Sequence, residues 1–284
     1  MRTIMTEPLY VSKPFTPAHS FTDGIESPAC DKKGMLYVVN FARQGTIGRV
    51  TPAGECSLYI QLPAGSIPNA VRFRRDGTML IADYTGHNIY QVDPKTHKAS
   101  VFAHDATMTQ PNDLAVTTSG LIFASNPKWA DDTGSVWRAD LNGKLTCAAP
   151  DMGTTNGIEV SPDDKTLYVN ESIQRRIWAF DIAPNGDLTN KRLLIEFSDF
   201  GLDGMRVDVD GNLYVTRFRK GVIAKVSPTG EVLLEIKLNG ERPSGLCFGG
   251  PDGCIIYVAE VEHGRIEAFR VEQPGREWRL WQSV

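Results

Sequence analysis

Six residues of this chain, Glu26, Asn69, Asn112, Asn156, Asp203 and Ser244, recur at intervals of 43, 43, 44, 47 and 41 positions. Each is the second residue of a short polar start that opens an apolar run. Two are carboxylates, three are carboxamides and one is a hydroxyl, with no His, Cys, Lys or Arg among them. Carboxylates gathered away from water are costly unless paired or bound to a metal. Two negative oxygens among neutral amide oxygens make a hard donor set, which suits Ca²⁺ or Mg²⁺ better than a soft metal. The absence of His speaks against a zinc hydrolase centre of the usual kind. Any one of these residues alone is explained as well by capping a turn; six equivalent positions on one axis are not.

Whether they meet depends on the elements that carry them. The segments IESPACDKKGMLYVVN, PNAVRFRRDGTMLIAD, PNDLAVTTSGLIFASN, TNGIEVSPDDKTLYVN, LDGMRVDVDGNLYVTR and PSGLCFGGPDGCIIYVAE share one pattern: apolar strand, Gly or Asp turn, second apolar strand. Two more strands follow in each unit, as in NIYQVDP then KASVFAH, with turns such as Asp76-Gly77, Asn142-Gly143 and Asn185-Gly186 between strands. Four short antiparallel strands in each unit of about 40–45 residues describe a propeller blade. The chain is therefore expected to be all-β, one six-bladed β-propeller over 1–284, with blades starting near 24, 67, 110, 154, 201 and 242. Two stacked sandwiches would not explain a period running through all six units. Closure requires a terminal segment to complete the last blade, and both Tyr10–Phe15 and Glu277–Trp281 are candidates. In this fold the innermost strands line a central channel, and the six ring residues start them.

The second strand of each blade ends on the same face, which places Asn40, Asp83 with Tyr84, Asn126, Glu171, Arg217 and Glu260 at the rim. The blade-three loop NPKWADDTG adds Lys128 and Trp129. An aromatic and cations beside a metal would suit a polar, oxygen-rich substrate, with Trp129 and Arg217 as contacts beside Asn69. For Arg217, Arg219 and Lys128, ordinary solvated surface is an equal reading.

The blade starts Gly24-Ile25-Glu26-Ser27-Pro28, Pro111-Asn112-Asp113, Thr155-Asn156-Gly157 and Asp203-Gly204-Met205, with Cys247-Phe248-Gly249-Gly250 in the last blade, resemble those of the regucalcin/gluconolactonase family over about residues 20–270. Diisopropyl fluorophosphatase is a more distant resemblance. The family resemblance implies a six-bladed propeller with one catalytic divalent cation held by Glu26, Asn156 and Asp203. It also implies Asn112 as a substrate or additional metal contact, Asp203 as general base, and aldono-lactones as substrates. The cation is expected to be calcium, with zinc, magnesium, manganese or iron as alternatives. Two positions depart from the family pattern. Gln110 stands where many members carry an Arg that helps hold the sugar, and Ser27 where a Gly usually follows the Glu.

The expected reaction is opening of a small lactone, with the cation polarising the carbonyl and Asp203 taking a proton from the attacking water. Two rivals are phosphotriester hydrolysis at the same metal and a non-catalytic, calcium-binding or scaffold propeller. A strictosidine-synthase-like condensing enzyme would not need these ligands. GxSxG, HExxH, GxGxxG and P-loop motifs are absent. Of the histidines His19, His87, His97, His104 and His263, only His263 sits where a proton acceptor is worth testing. The run Asp208-Val209-Asp210-Gly211 lacks the remaining EF-hand ligands and reads as a hairpin turn. Cys30, Cys56, Cys147, Cys247 and Cys254 form no CxxC pair, so reduced and mostly buried thiols are expected. A formal charge of −4 without a basic block gives no nucleic-acid surface, and no apolar run reaches membrane-span length. No signal-peptide core is evident at the start, so a cytoplasmic location and a small-molecule partner are expected.

Overall fold

The second strand of each repeat is apolar at consecutive positions because both of its faces are packed. In Leu36–Val39, Leu36 and Val38 face one neighbouring sheet while Tyr37 and Val39 face the other. Alternation along a strand thus serves two cores at once. The computed structural model, which describes residues 8–282, contains six antiparallel sheets of four strands. In blade two, Pro68–Phe73, Met79–Asp83, Asn88–Val92 and Ala99–His104 lie side by side in chain order, from the axis outward. The innermost strands of the other blades are Ala29–Cys30, Leu114–Val116, Thr155–Val160, Gly201–Val207 and Pro243–Gly249. Each touches the innermost strand of the next blade, and the sixth touches the first, so the ring is a closed six-bladed β-propeller.

Hydrophobic burial is organised as six clusters, one at each junction between blades. Val39 and Ile47 of blade one meet Val71 and Ile81 of blade two, and Cys247 and Tyr257 of blade six meet Leu36 and Val38 of blade one. Because every sheet is covered on both faces, no blade has a core of its own.

The last blade is completed from the N-terminal side. Lys13–Pro14 pairs antiparallel with Arg265–Arg270, Lys13 opposite Ala268 and Pro14 opposite Glu267. An outermost edge tolerates a proline, which has no N–H to offer a further strand. Glu277–Trp281, the other candidate, lies instead in the α-helix Arg276–Gln282. Its first residue explains why. The buried Arg276 donates to Ser161 O and Val116 O (both 3.1 Å) and pairs with Asp164. These groups lie at the ends of two innermost strands, so the helix seats across the end of the channel remote from the ring residues.

Asp208–Gly211 forms a hairpin turn in which Asp208 Oδ1 accepts from the Asp210 and Asn212 amides (3.0 and 2.9 Å). The five thiols are free; Cys30, Cys247 and Cys254 are buried and Cys147 is exposed. Among the described residues no helix is long and apolar enough to cross a membrane.

Two hairpin glycines separate backbone strain from steric exclusion. Gly34 has φ +78° and open space where a Cβ would stand, whereas at Gly143, φ +82°, a Cβ would overlap the carbonyl of Phe102. Gly34→Ala is expected to cost about 1 kcal/mol from the left-handed backbone alone, and Gly143→Ala about 2–3 kcal/mol. Urea denaturation of the two variants checks the difference.

Candidate active site at the channel mouth

All six ring residues line the mouth of the channel by virtue of position: Asn69, Asn156, Asp203 and Ser244 lie among the first residues of an innermost strand, and Glu26 and Asn112 lie just ahead of one. Glu26, Asn69, Asn112, Asn156 and Asp203 share the floor of a cavity of about 700 Å³. An adjoining space of about 350 Å³ is bounded by Glu26, Asn69, Asp203 and Ser244. The Glu26 and Asp203 carboxyls interact electrostatically and share the floor with the Asn156 carboxamide. Burial, the dominant cause, holds both acids well above the usual carboxylate range; the Asp203 charge adds to the rise at Glu26, and the charge of Asp113 raises both.

The surrounding chain fixes these groups. Glu26 Oε2 accepts from the Ser27 amide at 2.8 Å. Asn156 Nδ2 donates to Ser172 Oγ at 3.0 Å, and that hydroxyl donates to Leu202 O at 2.5 Å. Asn69 Nδ2 donates to Asn112 O at 3.3 Å, linking adjacent blades. Ser244 Oγ donates to Ile25 O at 2.8 Å, so this ring hydroxyl ties blade six to blade one. Two oxygens at the floor, Asp203 Oδ1 and Asn112 Oδ1, are buried without a hydrogen-bond partner. Leaving such a group unsatisfied costs about 1–3 kcal/mol. Clustered acids, orphaned oxygens and neutral amides together fit a hard cation.

A second charged layer lies beneath. Asp113 is fully buried and is gripped by Arg72 and by Arg206, whose Nη2 lies 3.1 Å from Asp113 Oδ1. Glu159 approaches Arg206 Nε at 3.9 Å and Arg276 Nη1 at 4.0 Å. Burial raises Asp113 to about 6, against the lowering effect of Arg72, and raises Glu159 to about 8. The sequence reading missed Arg72, Glu159 and Arg206. Their signal was a charge three residues after a ring position, flanked on both sides by Val, Ile, Met or Phe.

The rim expectation needs correction. Arg217 does not reach the cavity: its fully buried guanidinium stacks on Phe197, 3.9 Å from the ring centroid, and donates to Asp199 Oδ1 at 2.7 Å. Tyr84 lines both spaces and Asn40 the smaller one, while the acceptor oxygens of the polar counterparts are taken up by backbone amides. Asn40 Oδ1 accepts from Gly45 N, Asp83 Oδ1 from Ile67 N and Gly86 N, Asn126 Oδ1 from Thr109 N and Gln110 N, and Glu171 Oε1 from Gly153 N. Glu260 accepts from Glu262 N, His263 N and His263 Nδ1 (2.8, 2.9 and 2.7 Å), which places His263 on the outer loop and not on the cavity. Glu260, Glu262 and His263 are close enough to share a cation, but these bonds already satisfy Glu260. Lys128 pairs with Asp131.

Trp129 and Tyr84 line the cavity, whereas Gln110 is not part of its wall and donates its backbone amide to Asn126 Oδ1. Of the remaining wall, Phe218 ends the second strand of blade five, while Ile173, Phe200 and Arg219 come from loops of blades four and five whose reach no repeat pattern specifies.

A family model described as the SMP-30/gluconolactonase/LRE-like region matches residues 24–262. The chain belongs to this family. A gluconolactonase of Zymomonas mobilis is 27% identical over 88% of this chain and 80% of its own length. A regucalcin of Danio rerio is 33% identical over 71% of both chains. Among solved structures, a calcium-binding regucalcin from Agrobacterium tumefaciens superposes with a TM-score of 0.78, 20% identity and 95% coverage of each chain. This last likeness bears on the fold, and the closed ring agrees with it.

Removing one partner from the buried layer should be far more damaging than breaking a surface pair. Arg206→Met is expected to destabilise by about 3–5 kcal/mol. Arg192→Met, which breaks the exposed contact to Asp181, should cost less than about 1 kcal/mol. Chemical denaturation of both variants checks the contrast.

Proposed function

We propose that this chain is a metal-dependent lactonase that opens a small cyclic ester, a sugar lactone being the class its floor of amides suits best. One observation carries the reading: two acids and an amide from three separate blades share a single cavity floor where Asp203 Oδ1 has no partner. The name of the Zymomonas relative supports the reaction class.

Glu26, Asn156 and Asp203 are the residues that would hold the cation, with Asn112 beside them. Tying Asn156 Nδ2 to Ser172 leaves the amide oxygen as its ligand atom. The all-oxygen set favours calcium, with magnesium, manganese, zinc and iron as alternatives. When bound, a divalent cation offsets the paired carboxylates and acts as a Lewis acid toward an ester carbonyl. Asp203 accepts a proton from the water that attacks the acyl carbon. The acyl C–O bond of the ring breaks, and the same proton passes from Asp203 to the departing ring oxygen, giving the hydroxy acid. Asn69 and Asn112 offer donors and acceptors for ring hydroxyls. Trp129 and Phe218 cover the apolar edge of the ring and limit water near the acids.

Lactones and phosphotriesters should be assayed by pH-stat on chelated protein given Ca²⁺, Mg²⁺, Mn²⁺, Zn²⁺ or Fe²⁺ in turn. Lactone opening is expected to vanish on chelation and return with one of these ions. Asp203→Asn should lower kcat by about 10²–10⁴-fold. Glu26→Gln should abolish the rise in Tm that the activating ion gives the wild type. Near-wild-type turnover in Asp203→Asn would overturn the role given to that residue.

A further inference from the structure

Above the acids the wall changes character. Phe218 borders both parts of the cavity, and two guanidinium groups stand over it, Arg219 at 6.0 Å and Arg242 at 5.8 Å from the ring centroid. Arg219 lines the larger space and Arg242 the smaller one, so the pair brackets a single opening. Both side chains are exposed, and neither takes part in an ion pair among the described residues. Neighbouring cations behave differently. Lys220 is shared by Asp199 and Glu235, Lys128 pairs with Asp131, and Arg217 pairs with Asp199. Acids available at blade five are thus spent on Lys220 and Arg217, while the two arginines at the opening are left without a counter-charge.

Arg219 also has φ +68°, a left-handed backbone that a residue with a Cβ adopts at a cost of about 1–2 kcal/mol. The corresponding turns of blades two and four hold His87 and Arg175 in the same left-handed conformation, so this backbone is part of the blade's turn. Asp23 borders the opening from blade one and forms no ion pair with either arginine. Deeper in, Glu26 and Asp203 are the acids assigned to the cation. An anion at the opening would therefore meet two guanidinium forks, the geometry that binds carboxylate, phosphate or sulfonate oxygens in pairs.

We propose that Arg219 and Arg242 form an anion subsite at the cavity mouth, and that the substrate is a lactone carrying a second, anionic group remote from its ring carbonyl. The substrate class rests on the lactonase reading; the subsite itself does not. Shared oxyanion chemistry defines the ligand, whether carboxylate, phosphate or sulfonate. Phe218, no more than 6.0 Å from either guanidinium group, and Trp129 in the wall of the same cavity suit an apolar linker joining ring and anion.

Cyclic ketones resist hydrolysis and isolate binding from turnover. On the metal-loaded, full-length protein, calorimetry should compare 3-oxocyclopentane-1-carboxylate with 3-methylcyclopentanone, which has nearly the same shape without the charge. The carboxylate is expected to bind at least tenfold more tightly. That advantage should shrink as salt is raised, fall in Arg219→Met and in Arg242→Met, and disappear in the double variant. Equal binding of the two ketones, or a preference that survives in the double variant, overturns the subsite. In parallel, kcat/KM for 5-oxotetrahydrofuran-2-carboxylate should exceed that for γ-valerolactone by at least tenfold, mainly through KM. Phosphate- and sulfonate-bearing lactones then rank the three anions. If the ketone preference is found while no lactone is opened, the lactonase reading falls and the subsite stands. If lactones are opened with no preference for charge, the subsite falls and the lactonase reading stands.

Discussion

Everything at the channel mouth depends on one buried carboxylate, Asp113. It lies directly after Asn112 in blade three, and the arginines that grip it come from blades two and five. Arg72 also donates to Leu114 O at 2.9 Å and Arg206 to Ile158 O at 3.3 Å, so the same groups staple innermost strands across the axis. A closed ring could otherwise breathe at its centre, where each innermost strand meets its neighbours with few side chains between them. Charges shared among three blades resist that motion, since any separation leaves a desolvated ion without its partner.

That layer also sets the electrostatics above it. Glu26 and Asp203 sit side by side with raised proton affinity, over an Asp113 whose own charge is met from below. The arginines are committed to Asp113 and Glu159, not to the upper acids, which stay available to a cation. Farther down, Arg276 and the terminal helix close the opposite end of the channel. Among the described residues, access to the acids from the ring end runs past Trp129, Phe218 and the two arginines.

Repetition made the ring legible. Because every blade has the same hydrogen-bonded frame, equal spacing in the chain becomes equal height around the axis, and Glu26, Asn156 and Asp203 come together as their spacing implied. Arg217 shows where that logic stops. Its place at the end of a second strand put it on the right face, yet strand position does not say which way a long side chain turns. Phe197 and Asp199, from a loop of irregular length, drew it into the gap between blades. The same holds for Glu260, which satisfies the amides of its own loop and holds His263 there.

The sequence by itself determined the blade count, the residues that begin the innermost strands and the oxygen chemistry of the floor, since each follows from a period and from residue type. Only the tertiary structure decided that Lys13–Pro14 closes the ring, that Glu277–Trp281 is helical, that Arg72, Glu159 and Arg206 form a charged layer, and that Arg219 reaches the cavity while Arg217 does not. Those outcomes depend on which groups compete for one partner in three dimensions, and neither a repeat nor a local propensity records that competition.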